Sequence, residues 1–585
     1  MTDVPESPDV IALWRKALED VSGAMMAAAR TPPKLDTTRP FDPMALFRTM
    51  SDFAVGLGER PRQLLEVQMA AAREWGEFWA SAWLPKAAPA EGEVKPRGDR
   101  RFAHAEWDDT PYYRNIRDAY LLASKQLHGL VESGTGDTPN RAMMNFLVDQ
   151  FLNAASPTNF AMTNPEVVQR TIETGGANLA AGFAHLLEDV TAGKGIVRRR
   201  TDKSFEKGKT IAATPGSVVL QNHLFQLIQY DPATPDVAAE PLLYVPPLVN
   251  RFYMIDLQPR SSLVKWLVDQ GRTVFVISWI NPDERHRDCG VEQYVLDGIV
   301  EAIGAVRERT DAVKVDLFSF CLGGTLAAVA LAWLKAKGRA EEVNSATLIG
   351  SMVDFGDMRD WAAFVHEAHL EALEQHLEQQ GFIDSTELQQ LFAAVRSNDL
   401  IWSSVINHYL LDRAAPTSDL LYWFEDGARI PQAFLKSYNR GLLFSNALKH
   451  GSGFEVGGVA IDLATVKTPI MLIALKDDHV SAWEAVYDGA KLFGGPVTFV
   501  LGGSGHNAGV INPPAANKHG YWTSDARPDT ADEWLAGAEK QAGSWWPLWD
   551  AWLTDHGSGA RVPARVPADA IEPAPGSYVS ITHDA

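Results

Sequence analysis

Three short segments carry residue types that together can perform acyl transfer. The first is Val315-Asp316-Leu317-Phe318-Ser319-Phe320-Cys321-Leu322-Gly323-Gly324-Thr325. Its spacing predicts a strand, a sharp turn at Cys321 and a helix. Such a turn holds its central residue in a strained conformation and admits only small residues two positions to either side. Ser319 and Gly323 occupy those positions. A helix starting after Cys321 brings its positive end near the sulfur and favours thiolate. The backbone N–H of Leu322 is then placed to donate to an oxyanion. Taken alone, a cysteine in an apolar stretch is just as readily an inert core residue.

The other two segments shift that balance. Asp477-Asp478-His479 follows the strand candidate Ile470 to Leu475, and Gly502-Gly503-Ser504-Gly505-His506 follows the strand candidate Val497 to Leu501. A nucleophile, an acid and a histidine, in that chain order and each after a strand, form the pattern of a catalytic triad on an α/β scaffold. The expected set is Cys321 as nucleophile, His506 as general base and Asp478 to orient His506 and, directly or through it, to help activate an attacking hydroxyl. Asp477 is the weaker candidate for the acid, and His479 is read as structural.

These residues need elements to position them. From about residue 210, short apolar strands alternate with helices: Ser217 to Gln221, Phe225 to Tyr230, Leu242 to Val245, Thr273 to Ser278, Val313 to Phe318, Ala346 to Ile349 and the two above. The series predicts an α/β-hydrolase-like, mostly parallel sheet. It is interrupted between about 355 and 465 by a helical insertion rich in Leu, Trp and Tyr. An insertion there suits a lid that excludes water. Its aromatics, Trp402, Tyr409, Tyr422, Trp423, Phe424, Phe434 and Tyr438, serve equally to pack a helical subdomain or a dimer face. Residues 1–200 read as a mainly helical N-terminal domain, with a linker at Pro85 to Gly98. Residues 201–585 read as the catalytic domain.

Composition removes several classes. The 585 residues carry a formal net charge of −21, which disfavours a nucleic-acid partner. The basic run Arg198-Arg199-Arg200 with Lys203, Lys207 and Lys209 reads as a solvated connector. Two cysteines, Cys289 and Cys321, leave no disulfide framework and too few thiolates for a metal cluster. The acidic N-terminus does not read as a signal peptide. The uncharged run Leu317 to Leu334 reads as a buried strand and helix rather than a transmembrane segment, because Gly323-Gly324 interrupts it. With no GxGxxG or GxxxxGK[ST] pattern and no metal-ligand cluster, neither a cofactor nor a metal is expected.

The chain resembles the class I polyhydroxyalkanoate synthases, a family similar to α/β-hydrolases with Cys in place of Ser. The resemblance runs through Tyr112-Tyr113, Ser156 to Phe160, Thr163 to Glu166, Thr174-Gly175-Gly176, VPPLVN (Val245 to Asn250), DLQP (Asp256 to Pro259) and FVISWINPD (Phe275 to Asp283). It continues through the Cys321 segment, DLLYW (Asp419 to Trp423), Asp478-His479, Gly505-His506, GVINPP (Gly509 to Pro514) and EPAPG (Glu572 to Gly576). Ser319 stands where many members have Gly, Leu248 where some have a Cys, and Phe424 where a small polar residue is common.

The resemblance implies polymerisation of (R)-3-hydroxyacyl-CoA, 3-hydroxybutyryl-CoA first among them, with release of CoA through a Cys thioester. It implies a cytoplasmic homodimer at polyester granules, with granule association and dimerisation supported by the N-terminal domain. It also implies Val249 as a second oxyanion donor and Arg396 as a residue of the CoA passage. The competing expectations are a thioesterase or intracellular polyester depolymerase on the same fold, and a non-catalytic granule-coat protein. The choice of Cys has a chemical reason: transfer from one thioester to another keeps the acyl group activated, whereas a Ser ester would forfeit that drive.

Overall fold

Proline and glycine set the helix boundaries of the N-terminal region. In the computed structural model, which describes residues 43–81, 99–135, 140–191, 205–414, 418–451 and 453–583, the chain divides into two units. One takes the chain up to Thr201 together with Gln390–Pro416, and the other takes Asp202–Gln389 and Thr417–Ala585. The first unit holds the helices Pro43–Glu59, Pro61–Ser81, Pro111–Thr135, Asn140–Ala155, Pro165–Glu173 and Ala177–Thr191. Four of these open on proline, whose missing N–H would find no partner in a first turn anyway. Asn164 caps the fifth, its Oδ1 accepting from the N–H groups of Glu166 at 3.0 Å and Val167 at 3.4 Å. Gly175 and Gly176, which adopt φ of +60° and +90°, separate the last two of these helices.

Part of the insertion expected to form a lid belongs to this first unit. Tyr409 donates its phenol to Asp189 Oδ2 at 2.9 Å, and Asn178 Nδ2 donates to the Leu410 carbonyl at 2.7 Å. Trp402 lies in the same 390–416 segment. The expected boundary at residue 200 therefore omits a stretch that returns to the helical unit much later in the chain. The linker Pro85 to Gly98, Trp14, Trp83, and Arg198 to Arg200 with Lys203 lie outside the described residues.

The second unit is built on one eleven-stranded sheet. Its strands are β1 (Gly216–Gln221), β2 (Phe225–Tyr230), β3 (Leu242–Val245), β4 (Val274–Trp279), β5 (Val315–Phe320), β6 (Val343–Ile349), β7 (Ile470–Leu475), β8 (Val497–Gly502), β9 (Tyr521–Thr523), β10 (Glu539–Gln541) and β11 (Glu572–Pro573). The spatial order is β10-β9-β8-β7-β6-β5-β3-β4-β2-β1-β11. From β8 across to β4 every pairing is parallel, and the outer strands pair antiparallel. β4, β5 and β7 are buried at every residue, as a sheet covered on both faces requires. One face packs on the helices Leu322–Ala336 and Trp483–Ala490, the other on Leu263–Asp269 and Trp546–His556. This is the α/β-hydrolase-like architecture anticipated from the strand and helix series. The uncharged Leu317 to Leu334 run divides between β5 and the next helix, and no described helix is long and apolar enough to cross a membrane.

Lys207 departs from the reading of a solvated basic connector. Its Nζ lies 2.6 Å from Asp426 Oδ2 and also donates to the Val579 carbonyl at 2.9 Å. A mostly buried cation beside a carboxylate is part of the packed structure rather than a solvated tail.

Candidate active site

Cys321 stands between β5 and the Leu322–Ala336 helix with φ +52° and ψ −128°, a region that non-glycine residues avoid. Holding it costs about 1–3 kcal/mol, which the buried strand and helix on either side sustain. Its N–H donates to the Ile349 carbonyl at 2.9 Å. Gly323 shows why the turn needs small residues. A Cβ there would run into the Val245 carbonyl and lie 2.8 Å from the Pro246 backbone. Ser319 fits the other small position, its buried hydroxyl donating to the Thr347 carbonyl at 3.1 Å. Leu322, whose N–H is the candidate oxyanion donor, is the first residue of the helix.

Asp478 and His506 arrive on the turns that follow β7 and β8, parallel neighbours with Leu475 opposite Gly502. His506 Nδ1 lies 2.7 Å from Asp478 Oδ2, and the ring stands close enough to Cys321 to feel its charge. Asp478 Oδ1 accepts from the N–H groups of Val480 at 2.8 Å and Ser481 at 2.9 Å. Its side chain is fully buried, so both oxygens are committed. Asp477, the weaker candidate for the acid, is exposed, and its backbone N–H donates to the Ser504 carbonyl. The His479 ring centroid lies 6.3 Å from that of His506. Burial alone would lower the His506 pKa, but the Asp478 carboxylate and Cys321 outweigh it and push the imidazole up to about 10.

The structure adds residues that the sequence did not point to. Gly350, at φ +53° just after β6, leaves room for the pair: a Cβ there would stand 3.4 Å from His506 Cε1 and 3.5 Å from Asp478 Oδ2. The Phe320 ring packs against His506 with centroids 4.6 Å apart. Tyr438, known from the sequence only as one aromatic of the insertion, ends the Gln432–Tyr438 helix and feels the charge of Cys321. Burial pushes its phenol up, and the proximity of Cys321 adds to the shift. A glycine at a strand end and an aromatic beside the nucleophile are common in any such sheet, so neither signals its role from sequence.

Val249 is half-buried in the loop after β3, and its carbonyl accepts from the Ala428 N–H at 3.2 Å. That loop leaves from beside the turn, since Val245 and Pro246 are the groups that crowd Gly323. Trp423 ties the same loop down by donating to the Arg251 carbonyl at 2.7 Å. Arg396 belongs to the first unit, where its Nε donates to Asp399 Oδ2 at 2.9 Å. Among the described residues no group of three or more His, Cys, Asp or Glu side chains is arranged to hold a metal ion.

The family model described as poly-beta-hydroxybutyrate polymerase (PhaC) N-terminus matches residues 98–267, and that of the alpha/beta hydrolase fold matches 241–513. The chain is 41% identical over 542 residues to a poly(3-hydroxyalkanoate) polymerase of Methylorubrum extorquens, covering 91% of this chain and 89% of that protein. It is 36% identical over 594 residues to the poly(3-hydroxyalkanoate) polymerase subunit PhaC of Cupriavidus necator, covering 99% and 96%. Likeness of this extent, carried through both the helical region and the sheet that holds Cys321, makes the chain a member of the poly(3-hydroxyalkanoate) polymerase family, an acyltransferase-type enzyme.

Proposed function

We propose that this enzyme polymerises (R)-3-hydroxyacyl-CoA, 3-hydroxybutyryl-CoA first among them, into polyhydroxyalkanoate with release of CoA, through a thioester on Cys321. The observation that carries the reading is His506, hydrogen-bonded to Asp478, beside Cys321 at a strained strand-to-helix turn. The Asp478 carboxylate and Cys321 push the His506 imidazole up to about 10, so a protonated ring is available to the leaving sulfur. The Cys321 sulfur attacks the thioester carbonyl, a new C–S bond forms, and the CoA sulfur leaves with the proton from His506. The Leu322 N–H, with that of Val249, stabilises the oxyanion.

In the second half-reaction the 3-hydroxyl of another unit attacks the acyl-Cys321 thioester. His506 accepts the hydroxyl proton as the new ester C–O bond forms and the Cys321 sulfur departs. Asp478 acts through His506, because its oxygens are already taken by His506 and two backbone N–H groups. We assign the CoA passage to Arg396, and granule association and dimerisation at cytoplasmic granules to the helical N-terminal region. The exposed Met50, Val55, Leu65, Met69 and Trp79 on its helices suit contact with an apolar polyester surface.

The test is CoA release from (R)-3-hydroxybutyryl-CoA with product analysis in the same tube. Polymer with CoA release, both absent in Cys321→Ala, is the expected result. Free 3-hydroxybutyrate in place of polymer would identify a thioesterase and overturn the proposal.

A further inference from the structure

His506 sits on a loop without regular structure, yet it must keep its ring between Asp478 and Cys321. The loop bonds internally, from the Gly509 N–H to the Gly505 carbonyl at 2.8 Å and from the Val510 N–H to the Asn507 carbonyl at 3.2 Å. Two consecutive carbonyls farther along accept from outside it. Trp545 Nε1 donates to the Gly509 carbonyl at 2.9 Å, and Trp546 Nε1 donates to the Val510 carbonyl at 3.0 Å. Asn512 Nδ2 adds a bond back to the Gly543 carbonyl at 3.4 Å. Both tryptophans are buried. An indole of this kind brings a rigid apolar body and a single N–H donor, so it fixes both the distance and the direction of the carbonyl it meets.

The same helix also touches the strands that lead to the nucleophile. Trp549, one turn on from Trp545 and Trp546, donates to Thr347 Oγ1 at 2.8 Å, and its ring packs on Phe318 of β5 with centroids 5.3 Å apart. Thr347 is the residue whose carbonyl accepts from Ser319, two positions before Cys321. One end of a buried helix thus measures the His506 loop against the strands that carry Cys321.

We infer that Trp545 and Trp546 are positioning residues for the reaction, their indole N–H groups setting where His506 stands relative to Cys321. The inference rests on the assignment of His506 as the base. A base displaced by a fraction of an ångström loses rate while substrate binding is spared. Trp552, on the same helix, directs its indole N–H to Thr498 Oγ1 of β8 at 3.2 Å rather than to a carbonyl of the His506 loop, so it serves as the control.

The experiment compares W545F, W546F, the double variant and W552F in the full-length chain. Phenylalanine keeps an aromatic ring and removes the N–H. Three quantities are read: kcat and KM for CoA release from (R)-3-hydroxybutyryl-CoA, melting temperature, and the iodoacetamide alkylation rate of Cys321 relative to Cys289, resolved by mass spectrometry. The double variant is expected to lose about 100-fold in kcat with KM little changed. Its Cys321-to-Cys289 alkylation ratio should fall by about 10-fold as His506 moves off the sulfur. W552F should keep both values even where its melting temperature drops as far.

Unchanged kcat and alkylation ratio in folded single and double variants would overturn the inference. So would an equal loss in W552F, which would reveal a general loss of packing. Should the wild-type chain release no CoA, the synthase reading fails on its own account, and the alkylation ratio still decides whether the tryptophans place His506.

Discussion

The turn at Cys321 and the loop at His506 solve the same problem by opposite means. The turn is held by its own sequence: Ser319 and Gly323 clear the space, β5 and a helix clamp the ends, and the strained φ of +52° follows. The loop is held from elsewhere, by Asp478 on the neighbouring strand end and by Trp545 and Trp546 far along the chain. A nucleophile can be set by local sterics because only one side chain has to be presented. A base has to be set against two partners at once, and that demands contacts remote in sequence.

The comparison breaks most sharply at Asp478. Replacing it with Asn keeps the shape but removes the charge that holds His506 protonated and aimed, and kcat for CoA release is expected to fall by about 10³-fold or more. A folded Asp478→Asn variant with near wild-type turnover would move the acid elsewhere. Next comes Gly323→Ala, which tests the local side. Its methyl group meets the Val245 and Pro246 backbone, which cannot yield as a side-chain end would. The expected cost is about 1–3 kcal/mol in denaturant unfolding, with activity lost because the Leu322 N–H shifts too.

Gly350→Ala probes where the two regions meet. Alanine at φ +53° costs about 1–2 kcal/mol, and relieving that strain shifts a methyl group that stands in contact with His506 Cε1 at 3.4 Å. The expected kcat loss is about 10-fold, smaller than for Asp478→Asn, because the ring can yield by a few tenths of an ångström. The smallest effect is in pH. His506 titrates near 10 in the folded chain, above its ordinary value of about 6.5. Its stabilisation is therefore complete below about pH 6.5 and is lost as pH rises through about 10. Wild-type protein should lose about one degree of melting temperature over that interval beyond any loss seen in His506→Gln, the shift that about 1 kcal/mol produces in a chain of this length. Parallel curves for the two proteins would remove the charged pair from the account.

The legibility of the site follows the same division. Asp478 and His506 were readable because each lies three or four residues beyond the end of a mostly apolar strand, the pattern that a parallel sheet covered on both faces imposes. The choice of Asp478 over Asp477 became physical only in the structure, where Asp478 is buried against His506 and Asp477 faces solvent. β9, β10 and β11 went unread because they are two or three residues long and lie at or next to the sheet edges, where pairing rather than burial defines them. The helical insertion was visible as an interruption. Its division between two units was not, because Tyr409 reads like any lid aromatic until its phenol meets Asp189.

By itself, then, the sequence determined the chemistry available: a cysteine at a strand-to-helix turn, an acid and a histidine after later strands, and an α/β scaffold to carry them. These depend on periodicity, on small residues and on chain order, all of which are local. Tertiary structure alone decided which carboxylate faces the histidine, which glycine makes room for the pair, and which tryptophans hold the loop. Those outcomes depend on groups that meet only after the sheet has closed, when a hydrogen bond or a missing methyl group acts between neighbouring strand ends or across tens of residues and more.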